Sequence, residues 1–213
     1  MDNDNTSRVT LQNIFIAYIK EKGRRPKTIK EFCAFTCIEP RDFKTHYKTF
    51  ASLECDLWNR WFEETMAVLE NSTEYQTYNA REKLLAFYYT WQETIQDADS
   101  YLRIAPVLTL YSAMDWFLTD LEVKFLQYAE KLIQLATKNR EIVQRPFITD
   151  YYKHLLWHQF LFIMNYRIRD KSAEHAKTDE AIERSVNLFF ELTGRTQADA
   201  IFEFGKFLFT GNA

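Results

Sequence analysis

Four hydrogen-bonding residues, Arg41, Lys44, Thr45 and Lys48, stand at i, i+3, i+4 and i+7 in the stretch "PRDFKTHYK". On a helix that spacing puts them on one side. Phe43 and Tyr47, four residues apart, share the opposite side and can pack inward with Ile38. A short helix with an apolar back and a basic front can donate to guanine edges or phosphate oxygens in a major groove. The alternative is a solvated charged surface.

Charge around this stripe is uneven. From Lys20 to Lys48 there are nine Lys/Arg against four acids, a net of +5, so with −3 for the whole chain the remainder carries −8. A basic head on an acidic body suits contact with phosphates. Arg24, Arg25 and Lys27 of the "RRPK" loop, with Lys30 and Lys48, are candidates for the nucleic-acid backbone. Arg41, Lys44 and Thr45 are candidates for bases or phosphates, and Thr28 and His46 complete the set.

Other chemistry is poorly supplied. His154 and His158 lie one helical turn apart, but "HLLWH" lacks the glutamate of a zinc-protease pattern and no third ligand is placed. Cys33 and Cys37, with His46 nearby, read better as small core thiols than as a zinc site. There is no Gly-rich phosphate loop and no nucleophile elbow, so neither an enzyme, a metal site nor a cofactor is expected. Three cysteines in no disulfide pattern fit a reducing cytoplasm. The polar start "MDNDNTS" shows no signal peptide. The apolar stretch "LLWHQFLFIM" is too short for a membrane span.

The elements that position these residues are helices. Only four glycines and four prolines interrupt 213 residues, 46% of them apolar, which leaves little turn chemistry for hairpins. Leu11, Ile14, Phe15, Tyr18 and Ile19 predict a first helix over 8–22, ended by Gly23. Thr28 and Glu31 form a capping box for a second helix with Ile29, Phe32 and Cys33 inward. The helix breaks around "FTCI", and Pro40 opens a third. Thr49 or Ser52 caps a fourth running to about Glu70, with Leu53, Leu57, Trp58 and Trp61 inside. The polar segment 71–77 is the expected domain joint. Further helices are expected near 79–97, 100–112 (bent or split by Pro106), 114–140, 149–169, 178–193 (started by Thr178, ended by Gly194) and 197–208.

Residues 10–57 resemble the N-terminal DNA-binding domain of TetR-family transcriptional regulators. An amphipathic first helix ends in "EKG", a Thr-capped "TIKEF" follows, and "CIEPRDFKTHYKTFASL" stands where the family has its turn, recognition helix and start of helix 4. There are departures. Cys37 replaces the usual turn glycine, Glu39 a frequent serine, and Lys44 a frequent tyrosine. Phe50 replaces the lysine that reaches a phosphate. The rest of the chain matches that family in length and helix count only.

The resemblance implies an all-α fold. A three-helix helix-turn-helix domain (1–52) precedes a larger helical effector-binding and dimerisation domain (53–213). It further implies a homodimer bound to double-stranded operator DNA, since such readers use two half-sites about 34–36 Å apart. An apolar small-molecule effector is expected in the larger domain, where Tyr88, Trp91, Trp116, Trp157 and Phe160 are lining candidates beside a plain-core reading. The rival expectation is a protein of the same fold that has lost DNA and holds a lipid or a protein partner; Phe50, Glu39 and the aromatic-rich body favour it.

Overall fold

The computed structural model describes residues 2–105, 118–146 and 148–194, and every regular element among them is helical. The helices are α1 (Asp2–Lys22), α2 (Ile29–Thr36), α3 (Pro40–His46), α4 (Phe50–Asn71), α5 (Thr73–Thr77), α6 (Ala80–Thr94), α7 (Asp99–Leu102), α8 (Thr119–Lys138), α9 (Tyr152–Arg169) and α10 (Ala176–Thr193). Short 3-10 turns occupy Gln96–Ala98, Thr149–Tyr151 and Ala173–His175. Pro106, Trp116 and the expected helix at 197–208 lie outside the described residues. So does the proposed bend at Pro106.

Two compact units emerge from the packing. The first holds residues 1–68 and 90–124, the second residues 69–89 and 125–213. In the first, α1 buries Leu11, Phe15, Tyr18 and Ile19. Gly23, with φ 64°, closes α1 by donating to the Ile19 carbonyl at 2.8 Å. Thr28 caps α2, its hydroxyl accepting the Glu31 N–H at 3.1 Å. The box is not reciprocal as expected, because Glu31 accepts the N–H of Lys27 instead. Phe32 and Cys33 are buried, whereas Ile29 is only half-buried.

Cys37 ends α2 at φ 55°, the left-handed conformation that glycine adopts most easily. Pro40 opens α3 as expected, but α3 stops at His46. Tyr47 is extended (φ −136°, ψ 127°), so Lys48 leaves the helical stripe and sits in the connection to α4. Thr49 and Ser52 then cap α4 together: the Ser52 N–H donates to the Thr49 hydroxyl at 3.1 Å, and the Thr49 N–H to the Ser52 hydroxyl at 3.3 Å. Leu53, Leu57, Trp58 and Trp61 are buried.

The segment expected as a joint, 71–77, carries α5, capped by Ser72 and fixed by buried Tyr75. In the second unit α9 and α10 pack against each other. Helix α10 begins at Ala176, two residues before the expected Thr178. Buried Asp170 is the reason: its carboxylate accepts the Thr178 N–H (2.9 Å) and hydroxyl (2.7 Å), so Thr178 donates inside the first turn instead of capping it. Burial works against that charge, yet these bonds and two from Ser172 hold the Asp170 carboxyl well below the usual range. Gly194 ends α10.

The loop after α8 fastens two other helix ends in this unit. Glu141 accepts the N–H groups of Ala80 (2.9 Å) and Arg81 (3.1 Å), orphan donors at the start of α6. Arg145 donates to the carbonyls of Thr193 and Gly194, both at 3.0 Å, at the end of α10.

Candidate nucleic-acid interface

The short helix α3 is anchored from behind. Phe43 is fully buried, its ring 5.7 Å from Phe32 and 5.5 Å from Phe50. Phe50 also stacks on Phe15 at 5.5 Å and meets Phe32 at 5.7 Å. One aromatic cluster thus joins α1, α2, α3 and the first residue of α4. Each ring buried there contributes about 1.5–3 kcal/mol. Phe50 is half-buried and its ring packs on three others, so this position supplies no cation.

Tyr47 forms the second anchor. Its hydroxyl donates to the Asp56 carboxylate at 2.5 Å and accepts from the Gln12 amide at 2.8 Å; Gln12 also donates to Asp56 at 2.9 Å. Arg8 lies 3.6 Å from Asp56 and over the Tyr47 ring. Burial, then the bond to Asp56, pushes the Tyr47 hydroxyl well above its ordinary value. Tyr47 therefore stays protonated, as a donor to Asp56 must.

In front of these anchors, Arg41, Lys44 and Thr45 are exposed. Arg41 makes only a loose contact with Asp42 at 3.6 Å, and its side chain is 86% exposed, so it is available to a ligand. The Thr45 hydroxyl donates to the Arg41 carbonyl at 3.1 Å. His46 is half-buried. Lys27, Thr28, Lys30 and Lys48 are exposed, and Thr28 is engaged as a helix cap.

The two loop arginines are placed differently from the sequence expectation. Arg24 pairs with Glu31 at 2.5 Å, and Glu31 also accepts the Tyr18 hydroxyl at 2.7 Å. The Arg24 hydrogen bond foremost, then Tyr18 and the Lys27 N–H, holds the Glu31 carboxyl down at about 2. Arg25 pairs with the buried Glu54 at 2.5 Å. These acids leave Lys27, Lys30, Arg41, Lys44 and Lys48 as the outward cations of the set. The partners lie seven and 29 residues from their arginines, too far apart for a local pattern to signal.

The expected ligand-lining residues divide between the units. Tyr88, Trp157 and Phe160 lie in the second. Trp157 stacks on Phe160 at 5.4 Å, Phe125 touches both, and Phe87 meets Tyr88 and Phe160. The Tyr88 hydroxyl is buried with no hydrogen-bond partner. Trp91 belongs to the first unit and stacks on Trp58 at 6.2 Å. All four are buried. An open groove of about 750 Å³, bordered by Phe162, Tyr166 and Arg169 at the end of α9, had no sequence signal.

His154 and His158 are exposed on α9. Among the described residues, no group of three or more His, Cys, Asp or Glu could hold a metal ion. No helix there is long and apolar enough to cross a membrane.

Residues 83–208, well over half of the chain, fit the family described as "Tetracyclin repressor-like, C-terminal domain". No curated protein and no solved structure matches.

Proposed function

Because the chain belongs to the tetracyclin-repressor-like family, we propose that it is a homodimeric, cytoplasmic transcriptional regulator that represses through operator DNA and responds to an apolar small molecule. The observation that carries this reading is α3. It is locked from behind by Phe43 and the Tyr47–Asp56–Gln12 network, and it holds Arg41, Lys44 and Thr45 outward. Inserted in a major groove, that face donates to base edges or phosphates, with Lys27, Lys30 and Lys48 on the backbone. An effector among Tyr88, Trp157 and Phe160 lowers operator affinity to the extent that it binds the released state better.

Dimerisation is supported by α9 and α10. Tyr151 (67% exposed), Leu155 (51%), Phe162 (44%) and Tyr166 (37%) form an outward apolar stripe on and just before α9, and Leu188 and Leu192 are exposed on α10. Surface apolar rows of this length mark protein contacts. A second copy with the same two helices would cover them as a two-fold interface.

The test is a fluorescence titration of the full-length protein with the DNA upstream of its own gene and with a scrambled duplex, at two salt concentrations. Sequence-dependent binding with a steep salt slope, about −0.9 per phosphate neutralised, is the expected outcome. Binding to neither duplex at low salt refutes it. Phe50 packed among rings, with Arg24 and Arg25 held by acids, favours a second reading, a protein of this fold that holds a lipid and no DNA. Solvent extraction and mass spectrometry of the purified protein would then find a bound lipid.

A further inference from the structure

Arg24 and Arg25 are neighbours in one loop, yet the acids that hold them differ in kind. Glu31 is partly exposed and collects three donors, so it stays ionised far into acid. Glu54 is 6% exposed and lies under the loop on α4. The groups that face it are Arg25 from the loop and the Tyr101 hydroxyl from α7. Tyr101 is fully buried. Its oxygen accepts the Trp58 indole N–H at 3.0 Å, and its ring is wedged between Phe15, Trp58 and Trp61 at centroid distances of 5.9–6.5 Å. The Arg25 Nε is buried without a partner, so this guanidinium is held on one side only.

We propose that the Glu54 carboxylate is a proton-operated restraint on Arg25. Ionised, it holds Arg25 against α4; neutral, it frees Arg25 as one more contact to nucleic-acid phosphate. The inference rests on the DNA-binding reading above and adds a regulation of that same surface. Burial raises the Glu54 carboxyl above an ordinary glutamate, against the Arg25 charge and the Tyr101 bond. It therefore takes its proton while Glu31 remains charged. Arg25 alone is released, and Arg24 stays paired. Proton uptake neutralises Glu54, and a water or phosphate oxygen replaces it on the guanidinium.

The experiment follows the Arg25 side chain by nitrogen-15 NMR in the full-length protein from about pH 8 to about pH 3. The salt slope of DNA binding is measured at both ends. Three outcomes are expected together. The restrained guanidinium signal of Arg25 collapses in mild acid. In Tyr101→Phe, which removes a hydrogen bond favouring the carboxylate, the collapse moves to higher pH. In Glu54→Gln the signal is collapsed throughout. Each released state steepens the salt slope by about 0.9. An Arg25 signal that stays restrained to about pH 3, a midpoint unmoved by Tyr101→Phe, or release without a change in slope overturns the proposal. Absence of DNA binding at both pH values overturns it together with the reading beneath it. The NMR titration distinguishes the two failures, since it needs no DNA. Should Glu54→Gln not fold, the wild type and Tyr101→Phe carry the test.

Discussion

Arg41 and Lys44 are exposed and support nothing behind them. Replacing both by Ala should therefore leave the unfolding transition unchanged while operator affinity falls at least tenfold, since a side chain paired with a base edge is worth about 1–3 kcal/mol. A double variant that binds its operator as well as the wild type would sink the assignment of α3. Phe50 should behave in the opposite way. Phe50→Lys, which restores the family's cation, breaks the ring packing with Phe15, Phe32 and Phe43. It is expected to cost about 2–4 kcal/mol in urea unfolding. The outward side chains were readable from the sequence because a helical period fixes them. The fate of Arg24, Arg25 and Phe50 was not. Each depends on a partner brought close by the tertiary fold, and a side chain's type does not say whether it meets solvent or Glu54.

The helix pair around the turn was legible for a local reason. Gly23, Thr28, Pro40 and the inward Phe32 and Phe43 are all short-range signals. What the pattern missed was the end of α3, because the hydroxyl of Tyr47 is tied to Asp56 and Gln12 across the head. Tyr47→Phe should remove about 1–3 kcal/mol by leaving Asp56 short of a donor, and loosen α3 enough to weaken DNA binding. Equilibrium denaturation with a parallel DNA titration checks both. The start of α2 should carry a pH signature. Glu31 titrates near 4.5 when unfolded and is held at about 2 when folded. Its contribution is fully present above about pH 4.5 and is lost as pH falls toward 2. The thermal midpoint should drop over that window, and Glu31→Gln should flatten the drop.

Of the whole chain, the all-helical class followed from sparse breakers, and the family from the resemblance carried by "TIKEF" and "CIEPRDFKTHYKTFASL". The grouping of residues 90–105 with the head did not, since nothing local marks Tyr101 as a ring that completes a core begun at Phe15. The proposed dimer face is testable directly. Leu188→Glu with Leu192→Glu should convert a particle of twice 25.6 kDa into a monomer in light scattering, with far-ultraviolet dichroism retained. An unchanged mass would remove α10 from the interface. The loop after α8 has a different consequence. It offers trypsin Arg140, exposed on the surface, whereas the bond after Arg145 resists trypsin because Pro146 follows it. A protease must draw such a segment out in extended form, and Glu141 and Arg145 tie this one to the ends of α6 and α10. Cutting here should therefore wait for global unfolding, so the rate of nicking at Arg140 becomes a clock for the opening of the second unit.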